Sequence, residues 1–206
     1  MRFFDLAILV FALFATATVV RAQGSAADIQ KAAEEKAVNL CSTCHGPRGI
    51  STSTEFPILA AQRKGYLESQ IEAFRSRTRA EKDAHDFMWG IAGNLDSAII
   101  GGIANYYATQ PAAPGRTDNV ALVAAGKQLF DKGVVDRGIP ACATCHGANG
   151  EGVADFPRLA GQHAKYVAKQ LTYIQTLVRA APVMHGIVKD LTPVEISALA
   201  AYVQSR

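Results

Sequence analysis

Apolar residues recur every three or four positions along most of the chain, which is the period of an amphipathic α-helix. Leu67, Ile71 and Phe74 lie on one face of such a helix, and the same spacing returns from Val167 to Ile174. No stretch shows the sustained alternation of apolar and polar residues that is typical of a β-strand. The pattern therefore predicts an all-α fold.

Capping residues indicate where some of these helices begin. The segment Thr-Pro-Val-Glu at 192–195 supplies an N-cap, a proline at the first helical position and the glutamate of a capping box. The equivalent helix of the first half is predicted to begin at Asp96. Two more helices are predicted around 28–40 and 120–132.

The second half of the chain repeats the first. The segment Phe-Pro-x-Leu-Ala-x-Gln occurs at 56–62 and again at 156–162, and a tyrosine follows each copy at the same distance. The offset between matching residues falls from 101 to 96 along the chain, so short insertions separate the two copies. An internal duplication of this kind predicts two tandem domains.

Composition places the boundary between these domains. Residues 109–118 are rich in proline, glycine and alanine, and we predict that they form a linker. The first domain is then expected over 23–108 and the second over 119–206. Each domain is small for an independent hydrophobic core.

Two copies of Cys-x-x-Cys-His carry the candidate chemistry. They occupy 41–45 and 142–146, and this pattern is the attachment signature of c-type haem. A zinc ribbon would place its cysteine pairs roughly 15–20 residues apart, and a thioredoxin-like motif would follow a strand. Structural disulfides would leave the histidine after each pair unexplained. The predicted attachment residues are Cys41 and Cys44 for the first haem and Cys142 and Cys145 for the second.

Each iron then needs two axial ligands. His45 and His146 follow the cysteine pairs directly and are predicted to supply one ligand each. Met88 and Met184 lie 43 and 38 residues after these histidines, at matching places in the repeat, and are the predicted second ligands. A neutral thioether favours ferrous iron and raises the reduction potential relative to a second imidazole.

Three other histidines are rival ligands. Each of His85, His163 and His185 lacks a histidine at the equivalent position of the other half, so ligation by two histidines would break the internal symmetry. We expect all three to be solvated surface residues.

The repeat also supplies candidates for residues that support the haem. The carbonyls of Pro57 and Pro157 are predicted to accept a hydrogen bond from the ligand histidines, which would fix the orientation of each ring. Tyr66 and Tyr166 are predicted to donate their hydroxyls to haem propionates, with packing inside a helix as the alternative. Glutamines in the same two segments are weaker candidates for that role.

The N-terminus has the pattern of an export signal. Arg2 precedes an apolar run at 6–20, and Val-Arg-Ala at 20–22 is an acceptable cleavage site. The run is short for a membrane span, which needs roughly 17–25 residues, although an uncleaved anchor is an alternative. We predict a signal peptide at 1–22 and a periplasmic mature protein, because covalent haem attachment in bacteria follows export. The formal net charge of +3 gives no reason to expect nucleic acid as a partner.

These motifs resemble the dihaem cytochromes c4, and the resemblance covers essentially the whole chain after the signal. It rests on the tandem haem motifs, the repeated 56–62 segment, and Pro-Val-Met at 182–184 ahead of a Leu-Thr-Pro helix start. It implies two class I cytochrome c domains related by pseudo-two-fold symmetry, with His/Met ligation. Members of the family are periplasmic carriers, often membrane-associated, that pass electrons to terminal oxidases.

The first half departs from the family pattern. Its methionine follows His-Asp-Phe instead of Pro-Val, after a segment four residues longer than its counterpart. The charged residues at 75–86 are expected to form a solvated loop, with partner docking as the alternative. Gly126 and Phe130 suit a close crossing of the first and last helices of the second half, whereas the first half offers only alanines near Ala32 and Ala33.

Three functions remain open at this point. The leading hypothesis is a soluble electron shuttle without catalysis or a small-molecule substrate, whose partners are a respiratory complex or a terminal oxidase. The second is the dihaem subunit of an oxidoreductase complex, for example with a flavoprotein dehydrogenase. The third is a dihaem enzyme, such as a peroxidase or a thiosulfate-oxidising cytochrome, which would need an open iron position.

Overall fold

Residues 25–206 are described by a computed structural model, and they form ten α-helices. The first half contains α1 (Ala26–Lys36), α2 (Ser42–His45), α3 (Lys64–Arg75), α4 (Trp89–Ala92) and α5 (Ser97–Ala108). The second half contains α6 (Val120–Lys132), α7 (Ala143–His146), α8 (Ala164–Gln175), α9 (Pro182–Val188) and α10 (Pro193–Gln204). The predicted signal peptide at 1–22 lies outside the described residues.

Single turns of π-helix or 3₁₀-helix join some of these α-helices. A π-helical turn at Ala37–Cys41 carries α1 into α2, and another at Ala84–Met88 leads into α4. Single 3₁₀ turns occur at Pro47–Gly49 and Val135–Arg137. The predicted all-α class is confirmed, because residues 25–206 contain no β-strand and only one isolated bridge, between Val134 and Ile139.

The predicted helix starts are confirmed by their caps. Thr192 and Glu195 form a complete capping box at the beginning of α10. Asp96 accepts a hydrogen bond from the Ile99 N–H at the beginning of α5, at 2.8 Å. Such caps satisfy N–H groups that have no partner within the helix.

The first and last helices of each half cross at close range, and a glycine makes each crossing possible. In the second half Gly126 of α6 lies against Ala198 of α10, and a Cβ on the glycine would overlap the Ala198 carbonyl. In the first half the glycine is on the other helix, since Gly102 of α5 lies against Ala33 of α1. The expectation that the first half crosses through alanines alone is therefore wrong.

Between α5 and α6 the chain runs along the end of α10. The Arg116 N–H donates to the Gln204 carbonyl at 2.8 Å, and Gln204 Nε2 donates to Asp118 Oδ2 at the same distance. The predicted linker at 109–118 lies within this stretch, which contains no helix.

Reciprocal hydrogen bonds join the two halves through a glutamine bridge, formed by Gln62 and Gln162. The Gln162 amide accepts from the Ile58 N–H and donates to the Ile58 carbonyl, both at 2.9 Å. The Gln62 amide does the same with the backbone of Arg158, at 2.7 and 2.9 Å. Both glutamines are buried, so the bridge satisfies backbone groups that water does not reach.

Equivalent residues at 63 and 163 also reach across the interface. Arg63 Nε donates to the Ala154 carbonyl at 2.8 Å, and His163 Nε2 donates to the Ser51 carbonyl at 3.0 Å. His163 is only 6% exposed, so the expectation that it is a solvated surface residue is wrong. Its ring is covered because the first half packs over it.

Among the described residues no single helix is long and apolar enough to cross a membrane. The pair Ala84–Ala92 and Ser97–Ala108 meets the length and composition criteria only as a bent unit, with an angle of 116° between its two parts.

We expect Gly102→Ala to destabilise the first half by about 1–3 kcal/mol, because the added methyl overpacks the contact with Ala33. Gly101→Ala is the matched control on the same helix. Its methyl would meet only the end of the Glu68 side chain, at 3.3 Å, and alanine gains up to about 1 kcal/mol over glycine within a helix. Chemical denaturation measures both changes, and equal stabilities for the two variants would contradict the proposed crossing.

Burial lowers the pKa of His163 against the opposing effect of the Ser51 carbonyl. Protonation therefore favours the unfolded chain, so the contribution of His163 is full above the unfolded pKa of about 6.5 and is lost as the pH falls below it. The variant His163→Gln keeps a donor for Ser51 but cannot titrate. We expect its free energy of unfolding to fall less than that of the wild type between pH 7.5 and 5. If the free energy of unfolding depended on pH identically in the two proteins, His163 would make no contribution to that dependence.

Candidate functional site

The two Cys-x-x-Cys-His motifs lie on short helices that end at the histidine. His45 is the last residue of α2 and His146 the last of α7, and they are 8% and 5% exposed. Gly46 and Gly147 follow them with φ of 76° and 84°, which a residue with a side chain adopts only under strain. The chain can therefore turn sharply and leave each histidine facing inward.

A backbone carbonyl holds each of these imidazole rings. His45 Nδ1 lies 2.9 Å from the Pro57 carbonyl oxygen, and His146 Nδ1 lies 2.9 Å from that of Pro157. A carbonyl only accepts, so Nδ1 carries the proton and Nε2 keeps its lone pair. Burial lowers the pKa of both imidazoles, and this outweighs the opposing effect of the carbonyl.

The lone pair of His146 is directed into a buried space without a protein partner. Its Nε2 atom is buried and makes no hydrogen bond within the described chain. A buried polar atom of this kind normally has a partner. A neutral imidazole with a free Nε2 is the form that binds iron, so the donor set fits a haem.

The predicted haem residues of both halves line a single cavity of about 620 Å³. Most of the remaining lining is apolar, including Leu67, Ile103, Val167 and Leu199. The predicted residues that line it are Cys41, Cys44, His45, Pro57, Tyr66, Met88, Cys142, Cys145, His146, Pro157, Tyr166 and Met184. The two sites are therefore continuous across the interface.

The structure disfavours the alternative uses of the cysteines. No disulfide bond joins any two of the four in the described chain. Within residues 25–206 no group of three or more histidine, cysteine, aspartate or glutamate side chains is placed to hold a metal ion. A zinc site built from two cysteine pairs would form such a group.

The methionines sit in helices of different length. Met184 lies in α9, three residues after Ala181, whereas Met88 ends the π-helical turn seven residues after Glu81. The four additional residues of the first half add about one helical turn ahead of the methionine. Both methionines still reach the cavity wall.

None of the rival histidines lines the cavity. His85 is exposed, its Nδ1 pairs with Asp86 Oδ1 at 2.9 Å, and its ring packs against Trp89. His185 is half-buried and donates from Nδ1 to the Ile174 carbonyl at 3.0 Å. The expectation of a solvated surface residue therefore holds for His85 only.

An arginine cluster lies where the two sites meet, formed by Arg79, Arg179, Gln70 and Gln170. Arg79 and Arg179 are 7% and 8% exposed and line the cavity. Arg179 also donates to the Tyr66 hydroxyl at 2.9 Å. Guanidinium groups facing a cavity are suited to carboxylates, so this cluster offers donors for haem propionates.

The charged segment at 75–86 is solvated over most of its length, as expected, but two of its charged side chains are buried. Arg79 is buried in the cluster, and Glu81 is 1% exposed and also lines the cavity. Sequence reasoning missed both arginines, although Arg-Ala at 79–80 recurs as Arg-Ala at 179–180. Gln62 and Gln162 line the cavity as well, but their amides bind the backbone of the opposite half.

Comparison with known proteins is consistent with this arrangement. The family model described as Cytochrome c matches residues 123–206. Cytochrome c-552 of Acidithiobacillus ferridurans is 37% identical, over 95% of this chain and 86% of that protein. Cytochrome c4 of Pseudomonas aeruginosa is also 37% identical, over 84% of this chain and 87% of that protein.

A solved structure extends the likeness to the fold. Cytochrome c4 from Acidithiobacillus ferrooxidans superposes with a TM-score of 0.77 at 37% identity, over 81% of this chain and 98% of that one. A relative with a different description, the thiosulfate dehydrogenase electron acceptor of Stutzerimonas stutzeri, is 34% identical over 90% of this chain and 89% of that protein.

These likenesses confirm the predicted architecture of two class I cytochrome c domains related by pseudo-two-fold symmetry. They also confirm the two covalent c-type haems, since each Cys-x-x-Cys-His motif has its place in that fold. The chain belongs to the dihaem cytochrome c4 family, whose members are electron-transfer proteins with redox proteins as partners.

Proposed function

We propose that the chain is a periplasmic electron shuttle whose two irons are each held by one histidine and one methionine. The observation that carries this proposal is the pair of neutral, buried imidazoles facing one cavity with one methionine per half. The proposed ligands are His45 and Met88 for the first iron and His146 and Met184 for the second. The proposed division into domains at 23–108 and 119–206, joined by 109–118, assigns one haem to each domain.

The haem supplies an iron that cycles between the ferric and ferrous states. The protein's own residues keep the surroundings unchanged during that cycle. The Pro57 and Pro157 carbonyls hold the ligand rings in one orientation. The proposed propionate donors are the arginine cluster and the hydroxyls of Tyr66 and Tyr166, all of which belong to residues that line the cavity. Little reorganisation then accompanies transfer of an electron.

We propose that the protein reaches the periplasm by export through the signal peptide at 1–22. An uncleaved anchor would give membrane association. The proposed partners are a respiratory complex or a terminal oxidase on one side and an electron donor on the other. No small-molecule substrate and no nucleic acid enter this proposal.

A second function has one specific observation in its favour. The relative described as a thiosulfate dehydrogenase electron acceptor matches nearly the whole chain. A role as the electron-accepting partner or subunit of an oxidoreductase is therefore the alternative, and it uses the same two sites. In both cases catalysis belongs to the partner.

Met88→Ala and Met184→Ala, made separately, are each expected to abolish the ferric thioether-to-iron charge-transfer band of one haem. Absorption and magnetic circular dichroism measure the band, and mass spectrometry is expected to find two covalent haems in every variant because the cysteines are unchanged. His85→Gln is the control, since His85 is exposed near Met88 but does not line the cavity. A methionine variant that keeps both bands would refute that ligand.

Reduced wild-type protein is expected not to bind carbon monoxide on rapid mixing, because both axial positions of each iron are filled by side chains. Met184→Ala is expected to bind it at one haem and serves as the positive control. Flash photolysis and absorption spectroscopy measure binding. Rapid binding at one haem of the wild type would overturn the carrier assignment and favour an enzyme.

A further inference from the structure

The two arginines of the arginine cluster are shared almost equally between the halves. Arg79 donates to Oε1 of Gln70 at 3.0 Å and of Gln170 at 3.2 Å. Arg179 donates to the same two atoms at 2.7 and 2.6 Å. Because each guanidinium bonds to both halves, this pair of charges does not by itself distinguish one haem site from the other.

Glu81 makes the two arginines unequal, because its carboxylate is hydrogen-bonded to Arg79 and not to Arg179. Its Oε1 accepts from Arg79 Nε at 2.9 Å and also pairs with Arg79 Nη2. Its Oε2 is buried and has no hydrogen-bond partner in the described chain. The side chain lines the cavity, so a carboxylate that pairs with Arg79 through Oε1 leaves its Oε2 without a donor there.

The second half has alanine in this place. The His85 N–H donates to the Glu81 carbonyl at 3.1 Å, and the His185 N–H donates to the Ala181 carbonyl at 2.8 Å. Glu81 and Ala181 also lie two residues after Arg79 and Arg179, so they occupy corresponding places at the start of the helical turns ahead of the two methionines. The charge of Arg79 is offset by a carboxylate, whereas Arg179 meets only neutral acceptors.

Glu81 is attached to the first half through the segment that carries Met88. The indole of Trp89, the residue after Met88, donates to the Arg79 carbonyl at 2.8 Å. The Arg79 guanidinium stacks on the Phe74 ring of α3, with 4.3 Å between the guanidinium carbon and the ring centroid. Glu81 is therefore anchored within the first half, in the segment that carries the methionine of that half.

Other charges at the interface balance one another. Lys169 pairs with Asp83 at 2.6 Å and with Glu55 at 3.4 Å, and Lys165 pairs with Glu55 as well. These groups are 21% or more exposed, with two acidic and two basic members. Solvent screens such pairs, so they do little to separate the two haems.

We propose that Glu81 lowers the reduction potential of the first haem relative to the second and so directs internal electron transfer. A buried negative charge interacts strongly with a nearby redox centre because little water screens it. It favours the ferric state, which carries one more positive charge than the ferrous state. With both haems bound, Glu81 would favour transfer of one electron from the first haem to the second, and this transfer would make or break no bond and move no proton. This inference rests on the proposed electron shuttle and specifies its direction.

The test is Glu81→Gln in the full-length protein with both haems attached. Potentiometric titration gives the two potentials, and NMR contacts to Phe56 and Phe156 assign them to the halves. We expect the equilibrium constant for transfer from the first haem to the second to fall at least tenfold. For one electron, that is a narrowing of the gap by about 59 mV. The shift is expected in the potential of the first haem.

Two variants complete the design. Glu68→Gln makes the same charge change on the exposed surface of α3, where Glu68 pairs with Lys64, and it is expected to change the constant less than twofold. Ala181→Glu places a carboxylate at the equivalent position and is expected to lower the potential of the second haem. Circular dichroism and the charge-transfer bands establish that each variant is folded.

The proposal is overturned if Glu81→Gln leaves the equilibrium constant for electron transfer within twofold of the wild-type value. It is also overturned if the variant shifts the reduction potentials of both haems equally. Failure of the shuttle itself has a different signature. It would appear as carbon monoxide binding in the wild type, whatever the effect of Glu81 on the potentials.

Discussion

The hydrogen bond from each proposed ligand histidine to a proline carbonyl is the constraint on which the rest of the site depends. It fixes the tautomer and the orientation of a ring that is too buried to carry a charge cheaply. The carbonyl must itself be held, and the residue after each proline is bound by the glutamine bridge. Ile58 follows Pro57 and contacts Gln162, and the symmetric contact joins Arg158 to Gln62. The orientation of the imidazole in one half is therefore coupled mechanically to packing against the other.

The two halves repeat the same helices and motifs, but they pack some of these helices with different residues. Each half needs one glycine where its first and last helices cross, and that glycine lies on α5 in the first half and on α6 in the second. The proposed ligand methionine follows a longer helical segment in the first half and lies in α9 in the second. The two halves therefore share the close helix crossing, although the glycine that permits it lies at different positions. The copies also differ in the segment that carries Arg79 and Glu81, where Ala181 stands in place of the glutamate.

Much of this structure follows from local features of the sequence. The helical period, the caps at Asp96 and Thr192, and the two haem motifs predict the fold class, the helix starts and the cofactors. What sequence reasoning missed depends on contacts between distant segments. Charged residues at 75–86 have the composition of a loop, and the burial of Arg79 among them depends in part on an acceptor from the other half, Gln170. The burial of His163 and the crossing at Gly102 likewise become visible only when distant segments are brought together.

The glutamine bridge has the form of a contact between identical subunits. Each amide binds the backbone of the opposite half as its counterpart does in return, which is the pattern of an isologous two-fold interface. A single-domain ancestor carrying the Phe-Pro-x-Leu-Ala-x-Gln segment would meet a second copy of itself through this surface. A covalent connection keeps the partners at high effective concentration. It also frees each copy from the requirement that every substitution appear twice, and a carboxylate present on only one side of the axis is the kind of change that such freedom permits.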